Sequence, residues 1–213
     1  MQRTFAKALA AGMALFAAVT LPCVAGAQET PWSVRLGATD LQPANRSDSI
    51  PALGVPADAI HIGSKLLPEL DIFYTFTPNI VAELVLTYPQ KQEVTLSSHD
   101  IGSLKHLPPS LVAQYHFLPG QQADPYVGVG VNFTWITSVH LNVPGVGNLD
   151  LTKTSFGAAL NVGGDFNVNK HWFLNADIKY IVPLQSDLSA GGTKVSTLSL
   201  DPFLLSLGVG YHF

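Results

Sequence analysis

Seven ionisable residues sit inside otherwise apolar stretches of this 213-residue chain: Arg35, Glu69, Asp71, Glu83, Asp165, Asp177 and Lys179. They carry both signs of charge, and they recur within stretches that alternate polar and apolar residues. In Trp32 to Ala38, for example, Trp32, Val34, Leu36 and Ala38 share one face while Ser33, Arg35 and Gly37 share the other, because successive strand side chains point to opposite sides. Charges gathered on a common inner face can pair into a plug or line an ion path. A barrel of about eight strands leaves an interior just wide enough for side chains, which favours the plug. Turning the same groups toward hydrocarbon is far costlier.

Other chemistry finds little support in the residues. Seven histidines, His61, His99, His106, His116, His140, His171 and His212, lack a tight ligand motif such as H-E-x-x-H, so no metal site is expected. Neither a G-x-S-x-G elbow nor a Gly-rich phosphate loop is present. A Ser, His and Asp brought together from distant strands is the remaining route to catalysis. The chain is therefore read as a non-enzyme with no catalytic residue and no cofactor.

Composition sets the frame for those residues. Hydrophobic residues make up 47% of the chain and charged residues 12%, about half the charged share of a soluble domain. Too little polar material exists to cover a water-facing surface, so part of the surface is expected to face lipid. Beyond the first few dozen residues no apolar run reaches the ~18 residues a helical span requires. A closed barrel is the other structure that satisfies every backbone polar group in a membrane.

Residues 1–27 read as a secretory signal, with Arg3 and Lys7 as the charged start, Ala8 to Val19 as the apolar core and Ala25-Gly26-Ala27 as the cleavage site. The mature protein then begins at Gln28. Cys23, the one cysteine, lies in that segment, and Pro22 before it makes a poor lipid-attachment site. Of eleven basic residues, two leave with the signal, and the nine that remain face fifteen acidic ones. A mature charge of about −6 with no basic run makes nucleic acid an unsuitable partner.

Alternation with period two recurs in segments of about ten residues, the length a tilted strand needs to cross an outer membrane. Leu67 to Phe76 turns Leu70, Ile72, Tyr74 and Phe76 outward and Glu69, Asp71 and Thr75 inward. Ile80 to Tyr88, His106 to Phe117, Tyr126 to Trp135, Ser155 to Phe166, Trp172 to Val182 and Thr197 to Phe213 alternate in the same way. In Tyr126 to Trp135, Gly128 and Gly130 make room in a narrow interior. Connections alternate too: long at about 42–66, 89–104, 136–153 and 183–196, short at 77–79, 118–125 and 167–171. The fold expected is all-β: an eight-stranded antiparallel transmembrane up-and-down β-barrel spanning 28–213, exported through the periplasm to the outer membrane of a Gram-negative bacterium. A soluble lipocalin-like barrel is the rival, but it should carry polar residues on its outer face.

Three stretches carry a family resemblance: Lys105-His106-Leu107-Pro108-Pro109-Ser110-Leu111-Val112-Ala113-Gln114-Tyr115-His116-Phe117, Pro125 to Phe133, and the closing Asp201 to Phe213. They resemble the outer membrane protein W family over nearly the whole mature chain, and Leu41 to Lys65 resembles it least. The resemblance implies a narrow, partly apolar lumen that passes small hydrophobic molecules and lets them leave sideways into the membrane.

A side exit needs a break in the wall. Pro108 and Pro109 supply one, since neither donates to a β-ladder, or else they end a strand at the rim. Leu53, Val55, Ile60 and Ile62 either line an apolar funnel above the barrel or pack the first long connection, and Phe73 is placed with them as a ligand-facing lumen residue. Val209, Tyr211 and Phe213 resemble the carboxy-terminal signature read by the outer-membrane assembly machinery. Expected partners are therefore that machinery, outer-membrane lipid and lipopolysaccharide, and small hydrophobic solutes. The rival function is a closed-lumen structural or surface-recognition barrel acting through its extracellular loops.

Overall fold

The computed structural model describes residues 30–50, 55–97, 99–143 and 147–213. The expected signal segment, 1–27, and Leu53 lie outside the described residues. Among the described residues there is no helix. The strands are β1 (Trp32–Gln42), β2 (Arg46–Ser47), β3 (Ile60–Ile62), β4 (Lys65–Thr77), β5 (Ile80–Leu86), β6 (Gln90–Leu96), β7 (His99–Leu107), β8 (Ser110–His116), β9 (Ala123–Val143), β10 (Gly147–Leu151), β11 (Thr154–Asn167), β12 (Trp172–Val182), β13 (Gln185–Ala190), β14 (Thr193–Ser199) and β15 (Phe203–His212).

Eight of them close a barrel in the order β1, β4, β5, β8, β9, β11, β12, β15, and each neighbouring pair is antiparallel. Closure rests on the β1–β15 ladder, Ser33 opposite His212 through Gln42 opposite Phe203. Every wall strand thus has two partners, so the sheet closes on itself with no edge strand.

Alternation along the strands decides what faces lipid. Val127, Val129, Val131, Phe133 and Trp135 of β9 are exposed, and so are Leu36, Leu84, Leu111, Leu160, Ile178 and Leu207 on the other wall strands. Arg35, Glu69, Asp71, Glu83, Asp177 and Lys179 are at most 2% exposed. The pattern is a soluble protein turned inside out, and it disposes of the lipocalin alternative. Aromatic side chains band the outer surface at both ends: Trp32 meets Tyr74 at 4.8 Å near one rim, and Tyr180 stacks on Phe203 at 4.4 Å near the other. Such girdles sit at the two membrane interfaces.

Short turns close one end. Thr77 Oγ1 accepts from the Ile80 amide at 3.1 Å, and Asn169 Oδ1 accepts from the His171 and Trp172 amides at 2.9 Å each. Side-chain acceptors of this kind complete tight turns without further chain. In barrels of this class the short-turn end is periplasmic.

At the opposite end the structure departs from expectation. The segments read as long connections are largely β-structure: β6 and β7 form a hairpin that starts within 89–104 and runs on to Leu107, β13 and β14 form another that starts within 183–196 and runs on to Ser199, and β9 continues past the wall to pair with β10. Sequence reasoning missed these strands because their side chains alternate less cleanly, with polar residues on both faces. Their inner faces are nonetheless aliphatic. Ile62, Val94, Leu104, Ile136, Leu141 and Leu198 are 1–5% exposed and belong to one packed cluster that roofs the barrel.

A chamber between a charge layer and an aliphatic roof

Register brings the expected charges together. Arg35 on β1 is the direct partner of Asp71 on β4, and Arg35 Nε donates to Asp71 Oδ2 at 2.7 Å. The same guanidinium donates from Nη2 to Glu83 Oε1 at 2.8 Å and from Nη1 to Asn175 Oδ1. Lys179 Nζ lies 2.6 Å from Asp177 Oδ2, 3.2 Å from Glu83 Oε1 and 3.8 Å from Glu69 Oε1. Asp165 joins the network through Asn175, whose Nδ2 donates to Asp165 Oδ1 at 2.6 Å.

Polar side chains fill the rest of this layer. Gln114 Nε2 donates to Glu83 Oε2 at 2.9 Å, Asn161 Nδ2 to Asp177 Oδ2 at 2.8 Å, and Asn175 Nδ2 to the Tyr126 hydroxyl at 2.9 Å. All seven predicted lumen charges therefore belong to one network across the barrel. Asn161, Asn175 and Tyr126 were not singled out as functional, although the first two stand on the polar faces that alternation marks. Buried charges are tolerated only when paired and hydrogen-bonded, and here each cation is shared among several carboxylates.

Phe73 lies beneath this layer, on the periplasmic side. Its ring is 5.3 Å from Arg35 Cζ and 6.3 Å from the ring of Phe173, and Phe173 stacks on His212 at 4.6 Å. The expected ligand-facing set is thus divided. Phe73 packs below the charges, whereas Ile60 and Ile62 are buried in the aliphatic roof with Val55 packed against them.

Between roof and charge layer is a cavity of about 40 Å³, lined by Leu41, Leu67, Val85, Ile181 and Leu204 on its apolar sides and floored by Glu69 and Lys179. Thr87, Gln90, Gln92, His106 and Pro108 also line it. Sequence reasoning placed Gln90 and Gln92 in a loop and so passed over them. The signal available was their spacing of two, which puts both on one face of a strand.

Beside this chamber the wall is unladdered. The β5–β8 ladder ends at Val85 opposite Ser110, and the β6–β7 ladder begins at Gln90 opposite His106. Between those pairs run Leu86 to Pro89 on one side and Leu107 to Pro109 on the other. Three prolines in this span, Pro89, Pro108 and Pro109, have no N–H to offer. On its far side the break is sutured to β9: the Phe133 amide donates to the Pro109 carbonyl at 3.0 Å, and Asn132 Nδ2 donates to the carbonyls of Pro108 at 3.3 Å and Pro109 at 3.2 Å. Pro108 and Pro109 lie between the end of β7 at Leu107 and the start of β8 at Ser110.

Val209 and Tyr211 lie on β15 opposite Leu36 and Val34 of β1. Tyr211 meets Trp172 edge-on at 4.9 Å and Phe213 at 5.3 Å, in the periplasmic girdle.

The sequence profile of the OmpW family matches residues 28–213. The chain belongs to the OmpW family. Outer membrane protein W of Vibrio cholerae is 32% identical to it over 95% of this chain and 97% of that protein. The dibenzothiophene metabolism operon protein PahQ of Pseudomonas aeruginosa is 26% identical over 88% of this chain and 90% of its own length. The crystal structure of the outer membrane protein OprG from Pseudomonas aeruginosa superposes with a TM-score of 0.74 at 25% identity, covering 87% of this chain and 97% of that one. As an OmpW-family barrel the protein resides in the outer membrane of a Gram-negative bacterium, which accounts for the apolar exterior and the two aromatic girdles.

Proposed function

We propose that this barrel passes small hydrophobic molecules across the outer membrane passively, receiving them in the chamber above the charge layer and releasing them sideways at the Pro108–Pro109 break. The observation that carries the reading is the chamber's position. Its floor is an ion-paired layer that blocks the axis, while its side wall is the stretch without backbone pairing. An apolar solute gains nothing by crossing buried charges and loses nothing by moving into lipid. The operon from which the PahQ relative takes its name supports an apolar class of solute. Passage down a gradient needs no cofactor and no catalytic residue.

The test is uptake of an apolar reporter by proteoliposomes containing lipopolysaccharide. Wild-type protein is expected to speed uptake over protein-free vesicles, and replacing Pro108 and Pro109 together by alanine to slow it several-fold by restoring two ladder donors. Equal uptake with and without protein defeats the transport reading. That outcome leaves a closed barrel acting through its extracellular hairpins, a reading favoured by the packed aliphatic roof.

Two further assignments rest on the same framework. The family match beginning at residue 28 supports residues 1–27 as an export segment removed before Gln28. The outward placement of Val209 and Tyr211 on β15, with Phe213 packed against Tyr211, supports their role as the motif read by the assembly machinery, with lipid and lipopolysaccharide as the final surroundings.

A further inference from the structure

The chamber is not uniformly apolar. On the side of the wall break, Gln90 Oε1, Gln92 Nε2, His106 Nδ1 and Thr87 Oγ1 are buried without a hydrogen-bond partner, and all four side chains line the cavity. Gln90 and Gln92 are two residues apart on β6, and His106 is the register partner of Gln90 on β7. These groups therefore form one patch. Gln90, Gln92 and His106 are at most 6% exposed. Gln90 is fixed from its other end, where Nε2 donates to the Tyr88 carbonyl at 2.7 Å.

Leaving one buried polar atom unsatisfied costs ~1–3 kcal/mol, and four in one patch of the chamber call for a partner. The patch offers both kinds of group. Gln90 Oε1 accepts, Gln92 Nε2 donates, and the Thr87 hydroxyl does either. His106 lies on the β6–β7 hairpin, where Lys91 and Lys105 are exposed register partners, so this hairpin stands outside the hydrocarbon layer. Burial and the nearby Lys65 push the His106 ring down to about 4, so at neutral pH it too is a donor and an acceptor.

We infer that the chamber selects hydrophobic solutes carrying one hydroxyl group, with the apolar body against Leu41, Leu67, Val85, Ile181 and Leu204 and the hydroxyl seated among Thr87, Gln90, Gln92 and His106. A hydroxyl donates and accepts at once, which a hydrocarbon cannot do and a ketone does only by half. The cavity holds roughly three water-sized groups, which sets the scale for a small solute. The inference rests on the chamber being a solute site, as proposed above.

Its test uses an isosteric pair small enough for the chamber, 2-fluoroethanol and 1-fluoropropane, with the full barrel in lipid nanodiscs, ¹⁹F NMR reporting binding above that of empty nanodiscs. The alcohol is expected to bind about tenfold more tightly than the fluoroalkane, as two modest net hydrogen bonds provide. Gln90→Met with Gln92→Met should bring the ratio near one while fluoroalkane binding persists, and the milder Thr87→Val should lower it in part. Leu204→Trp should fill the chamber and abolish binding of both. Equal affinities in the wild type, both lost with Leu204→Trp, overturn hydroxyl selection and leave the chamber intact as a solute site. If neither probe binds the protein, the chamber reading is overturned along with it.

Discussion

Arg35 and Asp71 face each other directly across the β1–β4 ladder, and the 2.7 Å bond between them anchors a layer of paired charges inside the barrel. The same guanidinium reaches Glu83 on the next strand and lies within 3.7 Å of Asp177 on β12, across the lumen. One side chain thus ties strands that are remote in the barrel order.

Replacing Arg35 by methionine leaves several buried carboxylates with Lys179 as their remaining cation. Loss of one partner in a buried ionic network costs ~3–5 kcal/mol. Urea unfolding from lipid vesicles is expected to show a loss of that order, with part of it regained when Asp71→Leu is added. An Arg35→Met barrel as stable as the wild type would mean that the layer does not hold the strands together.

Glycine at position 130 is a packing requirement. A Cβ there would meet the Leu111 carbonyl oxygen at 2.1 Å and Val112 Cα at 2.6 Å, both backbone atoms of the neighbouring strand. Gly130→Ala should therefore destabilise the barrel by ~1–3 kcal/mol through overpacking. At Gly164 the nearest atoms to an added Cβ are 3.6 Å away, an ordinary contact, and Gly164→Ala should be near neutral. Equal refolding midpoints for the two variants would contradict this.

Val129 stands on the lipid face of β9, 60% exposed and midway between the girdles. Val129→Lys is expected to cost ~2–4 kcal/mol in a bilayer, the penalty for a cation near the midplane of a barrel wall. Lysine at the exposed Gln185 on the extracellular hairpin should cost little. Similar folding free energies for the two variants would argue against Val129 facing hydrocarbon.

His106 gives the extracellular end a dependence on pH. Burial holds the folded ring neutral down to about 4, with Lys65 adding to the effect, whereas the unfolded ring takes up its proton at the ordinary ~6.5. The unfolded chain thus binds more protons between those values. This contribution to stability is complete above ~6.5, falls as the pH is lowered toward 4, and is constant below. His106→Gln should flatten that slope in urea midpoints measured from pH 7 to pH 4, and an unchanged slope would assign it to other groups.

How much of this was legible follows from the reach of each signal. Alternation placed Arg35, Glu69, Asp71, Glu83, Asp177 and Lys179 inside, because a strand's two faces differ over neighbouring residues. It did not reveal Gln90 and Gln92 as chamber residues. Their strand carries Lys91 and Glu93 on the other face, so both faces read as polar and the segment passes for a loop. Nor did it divide Phe73 from Ile60 and Ile62, since height in the barrel depends on stagger between strands distant in sequence.

By itself the sequence determined the kind of object: wall strands of lipid-crossing length, apolar outward and charged inward, with prolines where a ladder must stop. Those are properties of one chain segment at a time, set by backbone geometry and by the cost of putting charge in hydrocarbon. Only the tertiary structure decided that the charges close into one layer, that the extracellular hairpins roof the barrel with aliphatic side chains, and that unpaired polar atoms meet beside Pro108. Each of these depends on register between strands, and register is fixed when the barrel closes and every backbone group must find its partner.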